Sequence, residues 1–182
     1  MKDEITVTAR DAFPECLAEI LKHEGGFVNN RHDPGGMTNL GVTRKVWEAW
    51  THRPAGEADM RALKQSDVAP LYRVNYWNAL GAQFLPAPIA LCVFDFGVNS
   101  GVSRGARYLQ RIVGVNEDGH IGPASLGALD KWITTHSIVE FVRQYANLRR
   151  GFYRSLSTFE HFGKGWTRRV DEVETAALRL AQ

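Results

Sequence analysis

Cysteine is scarce in this sequence of 182 residues: Cys16 and Cys92 are the only two. Each sits in an apolar helical pattern, which predicts two buried small hydrophobes in preference to a disulfide or a metal pair. There is no Cys-x-x-Cys, and His23, His32 and His120 are not spaced as a ligand set, so no metal is expected. No glycine-rich phosphate loop or dinucleotide fingerprint occurs, and no cofactor is expected. A long hydrophobic run is missing too. The most apolar stretch, 84–98, is broken by Pro86, Pro88 and Asp95 and is too short to span a bilayer, so stable membrane insertion is not expected. Residues 1–10 contain Asp3 and Glu4 and no apolar run, which predicts neither a signal peptide nor an anchor and hence synthesis in the cytoplasm. Repeats and low-complexity segments are also absent.

Charge of one sign is in short supply, with 22 Lys and Arg against 20 Asp and Glu. The excess is local. Between Arg143 and Arg169 seven basic residues face one acid, Glu160. Such a stretch is either the solvated face of a long helix or a surface for a polyanion such as nucleic acid, anionic lipid or bacterial cell wall.

What the chain does have is a 44% hydrophobic content, enough for a core, arranged mostly at helical spacing. Asp11 can cap a first helix carrying Leu17, Ile20 and Leu21, which Gly25-Gly26 would stop. From Phe27 to Val42 the composition turns to Asn, Asp, Pro, Gly and Thr, which predicts an ordered loop or short hairpin. Further helices are expected from Thr43 to Trp50, from a Ser66 cap through Tyr72, Tyr76 and Trp77, over 86–99 and 103–113, and over 124–132. Ser137 to about Leu156 and Trp166 to Ala181 complete the set. The loop 114–123 is the one internal boundary, dividing 1–113 from 114–182, and the two parts are expected to pack as one unit. A single chain of this size is expected to be a monomer.

The chemistry concentrates in His23-Glu24-Gly25-Gly26-Phe27 and Asp33-Pro34-Gly35-Gly36-Met37-Thr38. Glu24 is expected in the last turn of the first helix, where the negative end of the helix dipole disfavours a carboxylate and so promotes the neutral acid. A neutral carboxyl near neutral pH can protonate a leaving oxygen. Folding of the glycine-rich loop would bring Asp33 and Thr38 to the same cleft, where glycoside hydrolysis needs a second carboxylate or a positioned water. The alternative for both is structural, an Asx-turn at Asp33 and a backbone-bonding hydroxyl at Thr38. On the next helix Asn75 and Tyr76 are candidate substrate contacts beside Trp77. Asp95 and Asn99, four apart on an otherwise apolar helix, form either a buried polar network or a groove floor. Trp47, Trp50, Trp132 and Trp166 are expected in the core.

Glu-Gly-Gly-Phe with the downstream Asp-Pro-Gly-Gly-Met-Thr-Asn-Leu-Gly-Val resembles the signature of glycoside hydrolase family 108. So do YRVNYW (72–77), VFDFGVNSG (93–101) and FGKGW (162–166). These are N-acetylmuramidases of phage endolysins and bacterial secretion activators. The resemblance implies a mainly α, lysozyme-like fold with a small loop or β-hairpin after the first helix. It also implies Glu24 as the catalytic residue and peptidoglycan glycan strands as the partner. The order Glu24, Asp33, Thr38 resembles the triad of phage-type lysozymes, with Thr38 one residue early. Asp118-Gly119-x-x-Gly122-Pro123 resembles a turn of peptidoglycan-binding modules, implying that role for 114–182. The expected activity is hydrolysis between N-acetylmuramic acid and N-acetylglucosamine, after release to the wall by a holin or another route. A lytic transglycosylase on the same substrate and a non-catalytic wall-binding secretion accessory are the alternatives, with a nucleic-acid-binding helical protein the most remote.

Overall fold

The computed structural model describes residues 11–29 and 36–182. Helix α1 (Phe13–Leu21) leads into three short antiparallel strands, β1 (Val28–Asn29), β2 (Met37–Asn39) and β3 (Val42–Thr43), in the order β1-β2-β3. Helices α2 (Arg44–Thr51), α3 (Glu57–Ala62) and α4 (Gln65–Tyr72) follow, and α4 runs into a π-helical turn, Arg73–Asn78. The rest is helical: α5 (Ala87–Ser100), α6 (Val102–Val113), α7 (Pro123–Thr135), α8 (Ile138–Arg154) and α9 (Phe159–Leu180). This is the mainly α, lysozyme-like architecture expected, with its small sheet directly after the first helix.

Local signals explain most boundaries. The Phe13 N–H donates to Asp11 Oδ1 at 3.1 Å, and Thr43 and Ser137 accept from Val46 N and Glu140 N, each satisfying an orphan donor at a helix start. Ser66 does not cap α4. That helix begins one residue earlier, where Asp67 Oδ2 accepts from Lys64 N at 2.7 Å. Short α3 has no counterpart in the sequence pattern, because a helix with Met60 as its one buried residue shows no period. Helix α9 starts seven residues before the expected Trp166. Gly163 does not break it, since its missing Cβ makes room for the Phe159 ring.

Helix α5 is the axis of the core. Every residue from Pro88 to Gly97 is buried, as befits a helix surrounded on all sides. Phe13, Ile20 and Trp77 pack in the same core as Phe141, Tyr145, Val170 and Val173, so the loop 114–123 does not divide it. Cys16 and Cys92 are buried and unbridged, as small apolar side chains.

That loop owes its shape to a buried glutamine. Gln110 Nε2 donates to Asp118 Oδ1, to the His120 carbonyl and to Ser125 Oγ at 2.7, 3.0 and 3.0 Å, while its Oε1 accepts from Gly119 N at 2.9 Å. Gly119 has φ +84°, the left-handed region that favours glycine. These bonds account structurally for the Asp-Gly turn before α7.

Candidate active site

The first helix ends at Leu21, and Lys22 and His23 close it with tight backbone bonds to Glu19 and Ile20. Glu24 therefore lies three residues beyond the helix, not in its last turn. Gly25 and Gly26 follow in open space: among the described residues, a Cβ on either would meet nothing within 4 Å.

Two elements hold Glu24 from opposite sides. On one side is the β2–β3 turn. Asn39 pairs with Val42, so Leu40 and Gly41 form a two-residue turn with φ of +50° and +73°. Positive φ at both central residues marks the type I′ hairpin, whose twist suits the flanking strands. The Leu40 carbonyl accepts from the Tyr72 hydroxyl at 2.9 Å, which pins the turn to the end of α4. A Cβ on Gly41 would run into that hydroxyl and lie 2.8 Å from Glu24 Oε2. Gly41 is thus required twice, by its backbone and by the carboxyl against it.

On the other side is Arg169 of α9, whose Nη2 donates to Glu24 Oε1 at 2.9 Å. The same guanidinium donates to Asp95 Oδ1 from Nε at 3.0 Å and from Nη2 at 2.8 Å. Asp95, wholly buried on α5, also accepts from buried Arg149 Nη2 at 2.6 Å. Glu24, Arg169, Asp95 and Arg149 thus form one chain of alternating charge running from the surface into the core. Burial works against an ionised Asp95, but the two guanidiniums outweigh it and hold this carboxyl below the usual carboxylate range. Burial likewise opposes the charge of Arg169, and Asp95 and Glu24 more than restore it.

The sequence gives Glu24 no partner, and the structure corrects that by pairing it with Arg169. Arg169 is 145 residues away and carries no local signal. The basic stretch is corrected as well. Arg149 is buried, Arg150 bonds Asp171 and Glu174, and Arg169 turns inward, so the seven residues do not form one exposed face.

The remaining predicted residues divide. Asp33 lies outside the described residues. Thr38 sits on the central strand, paired with Val28 and Thr43. Its neighbour Asn39 points the other way, donating to the Met60 carbonyl of α3 at 2.8 Å. Asn75 is exposed on the π-helical turn. Tyr76 is half-buried against Tyr72, with ring centroids 5.6 Å apart, while Trp77 is in the core. Burial, and then the charge of Glu24, raises the phenol pKa of both tyrosines. Asp95 belongs to the buried network and cannot touch a ligand directly. Asn99, one turn further along α5, is exposed. It lines a cavity of about 470 Å³ with Lys22, His23, Gly165, Trp166 and Arg169. Trp166, predicted as a core residue, packs partly against the core and also forms part of a groove wall.

The comparisons with known proteins bear on this site. The model of the family described as glycosyl hydrolase 108 matches residues 17–101, a span containing Glu24, Gly41, Asp95 and Asn99. A solved structure titled "Structure of Brucella abortus SagA" is 35% identical to this chain. The match covers 96% of this chain and 98% of that one, with a TM-score of 0.80. The chain belongs to glycosyl hydrolase family 108. No curated protein matches it. Membership of family 108 makes this a glycoside hydrolase, with peptidoglycan as the substrate class at the level of the family. Arg149 and Arg169 lie outside the matched span, so in this family 108 protein the C-terminal helices supply both the cation that grips Glu24, Arg169, and the one that grips Asp95 from the core, Arg149.

Proposed function

We propose that this family 108 protein is an N-acetylmuramidase that cleaves the bond between N-acetylmuramic acid and N-acetylglucosamine, with Glu24 as general acid. The observation that carries this reading is the fixed position of the Glu24 carboxyl between Arg169 and the hairpin turn. Arg169 fixes Oε1, and Arg169 is itself fixed by Asp95, while Oε2 faces the hairpin turn at Gly41. A proton donor works best when its rotamer is locked by its neighbours. Oε2 gives its proton to the glycosidic oxygen as that C–O bond breaks and the sugar gains oxocarbenium character. Water then attacks the anomeric carbon, and its proton returns to Oε2. Thr38 and Asp33 are placed by this reading at the water, and Asn75 and Tyr76 at the glycan. Among the described residues no helix is long and apolar enough to cross a membrane.

The test is digestion of purified peptidoglycan by wild type beside Glu24→Gln. The variant should lose roughly 10²–10⁴-fold in the rate of new reducing ends, the usual contribution of a general acid. Full activity in Glu24→Gln removes the mechanism. Mass spectrometry of the products decides the chemistry, since hydrolysis adds the elements of water and a lytic transglycosylase leaves an anhydro sugar.

A further inference from the structure

Helices α5 and α9 meet the site twice, one turn apart. On the inner turn stand Asp95 and Arg169, whose bonds reach Glu24. On the next turn outward stand Asn99, four residues after Asp95, and Trp166, three residues before Arg169. Spacings of three and four put each pair on one helix face. Asn99 and Trp166 line the 470 Å³ cavity together with Arg169, and that volume lies within the range of small-ligand pockets, about 300–1,000 Å³.

One buried side chain orients both. Tyr153 of α8 stacks on Trp166, with ring centroids 5.2 Å apart and planes 25° from parallel. Its hydroxyl donates to Asn99 Oδ1 at 2.5 Å, and Ser100 Oγ donates to the same oxygen at 3.3 Å. Oδ1 is thereby identified as the acceptor, and both its lone pairs are engaged. The Nδ2 group has no partner among the described residues and is the donor left to an incoming ligand. The indole has one face on Tyr153, and exposed Phe162 extends the aromatic surface, its ring 5.7 Å from Trp166.

We infer that Trp166 and Asn99 form a saccharide subsite for a 2-acetamido sugar, with Tyr153 as the positioning residue. The indole stacks on the apolar face of a pyranose ring, and Asn99 Nδ2 donates to the acetamido carbonyl. Lys22 and His23 close the cavity from the α1 side, and Arg169, which also lines it, bonds Glu24 Oε1, so the subsite lies one side chain away from that carboxyl. This assignment rests on the glycosidase reading above.

Its test is equilibrium binding by the full chain carrying Glu24→Gln, which keeps the sugar uncleaved. N-acetylchitotetraose and cellotetraose are the probes, since they differ only in the acetamido group at C2. The Glu24→Gln parent should bind the N-acetylated probe about tenfold more tightly than cellotetraose, the worth of one good hydrogen bond. Adding Asn99→Ala should bring that ratio close to one. Adding Trp166→Ala should weaken both probes about tenfold or more, and Trp166→Phe should restore most of the loss. A misfolded variant would not reproduce this pattern, because lost packing does not erase selectivity for one group while sparing cellotetraose. Unchanged binding in Trp166→Ala, an unchanged ratio in Asn99→Ala, or no binding of N-acetylchitotetraose by the parent overturns the subsite. Wild-type cleavage of peptidoglycan is scored separately, so a failed subsite and a failed muramidase reading give different results.

Discussion

Replacing Asp95 with alanine should be among the most damaging single changes in this protein. Asp95 is wholly buried, and Arg149 beside it is only 1% exposed. Among the described residues no other carboxylate lies within 4.0 Å of Arg149, and its Nε makes no hydrogen bond. Its other neighbours are aromatic: the guanidinium carbon lies 5.0 Å from the Phe96 ring centroid. Removal of Asp95 therefore leaves a guanidinium charge in the core without its counter-ion. Breaking a buried pair in this way costs about 3–5 kcal/mol. For a domain of this size that is a fall of roughly 6–20 °C in melting temperature. Urea denaturation followed by circular dichroism measures it directly. The partner change Arg149→Met should cost less, because Asp95 keeps two hydrogen-bonding nitrogens of Arg169. The double variant should be more stable than the sum of the two losses predicts, since it leaves no unpaired core charge there. A loss below about 1 kcal/mol in Asp95→Ala, or a larger loss in Arg149→Met, would refute this account of the network.

Asp95 is held below its unfolded carboxylate value, so its contribution to stability is complete above that value, near pH 4, and is lost as pH falls through the lowered folded value. Wild type should accordingly lose more stability than Asp95→Asn between about pH 4 and 2, as thermal melts across that range will show. Gly41→Ala should cost about 1–3 kcal/mol from the left-handed backbone alone and should also cut wall digestion, because its methyl meets Glu24 and Tyr72. A variant with wild-type turnover would show that the hairpin does not position the carboxyl. Burial pushes the thiols of Cys16 and Cys92 up to about 12, so neither should react with a thiol-specific reagent at pH 8 in the folded protein, and both should react in denaturant. Rapid labelling of the native chain would contradict their placement.

Much of the fold is legible because its signals are local. Thr43 and Ser137 announce their helices by capping them, and the unbroken apolar run of α5 announces a helix enclosed on every side. The errors are informative. Gly25-Gly26 reads as a helix stop, yet the helix ends earlier and the pair faces open space. The last helix reads as starting at Trp166, yet α9 begins at Phe159 and takes in Gly163, which serves a neighbouring ring. A glycine's role depends on what occupies the missing Cβ position, and only packing decides that. Trp166 reads as core because tryptophan usually is, and nothing in its neighbourhood shows that the next turn of α9 carries the partner of Glu24.

The order of the longer elements, the turn-rich hairpin after α1 and the candidacy of Glu24 follow from the amino-acid sequence, because capping, periodicity and turn chemistry act over a few residues. The partners of Glu24 do not. Arg169 and Asp95 reach it because α9 packs along α5 and aligns residues 74 positions apart, bringing Arg169 to a carboxyl 145 positions away. A charge on a helix finds its counter-ion through the angle and register of helix packing, which the whole core sets.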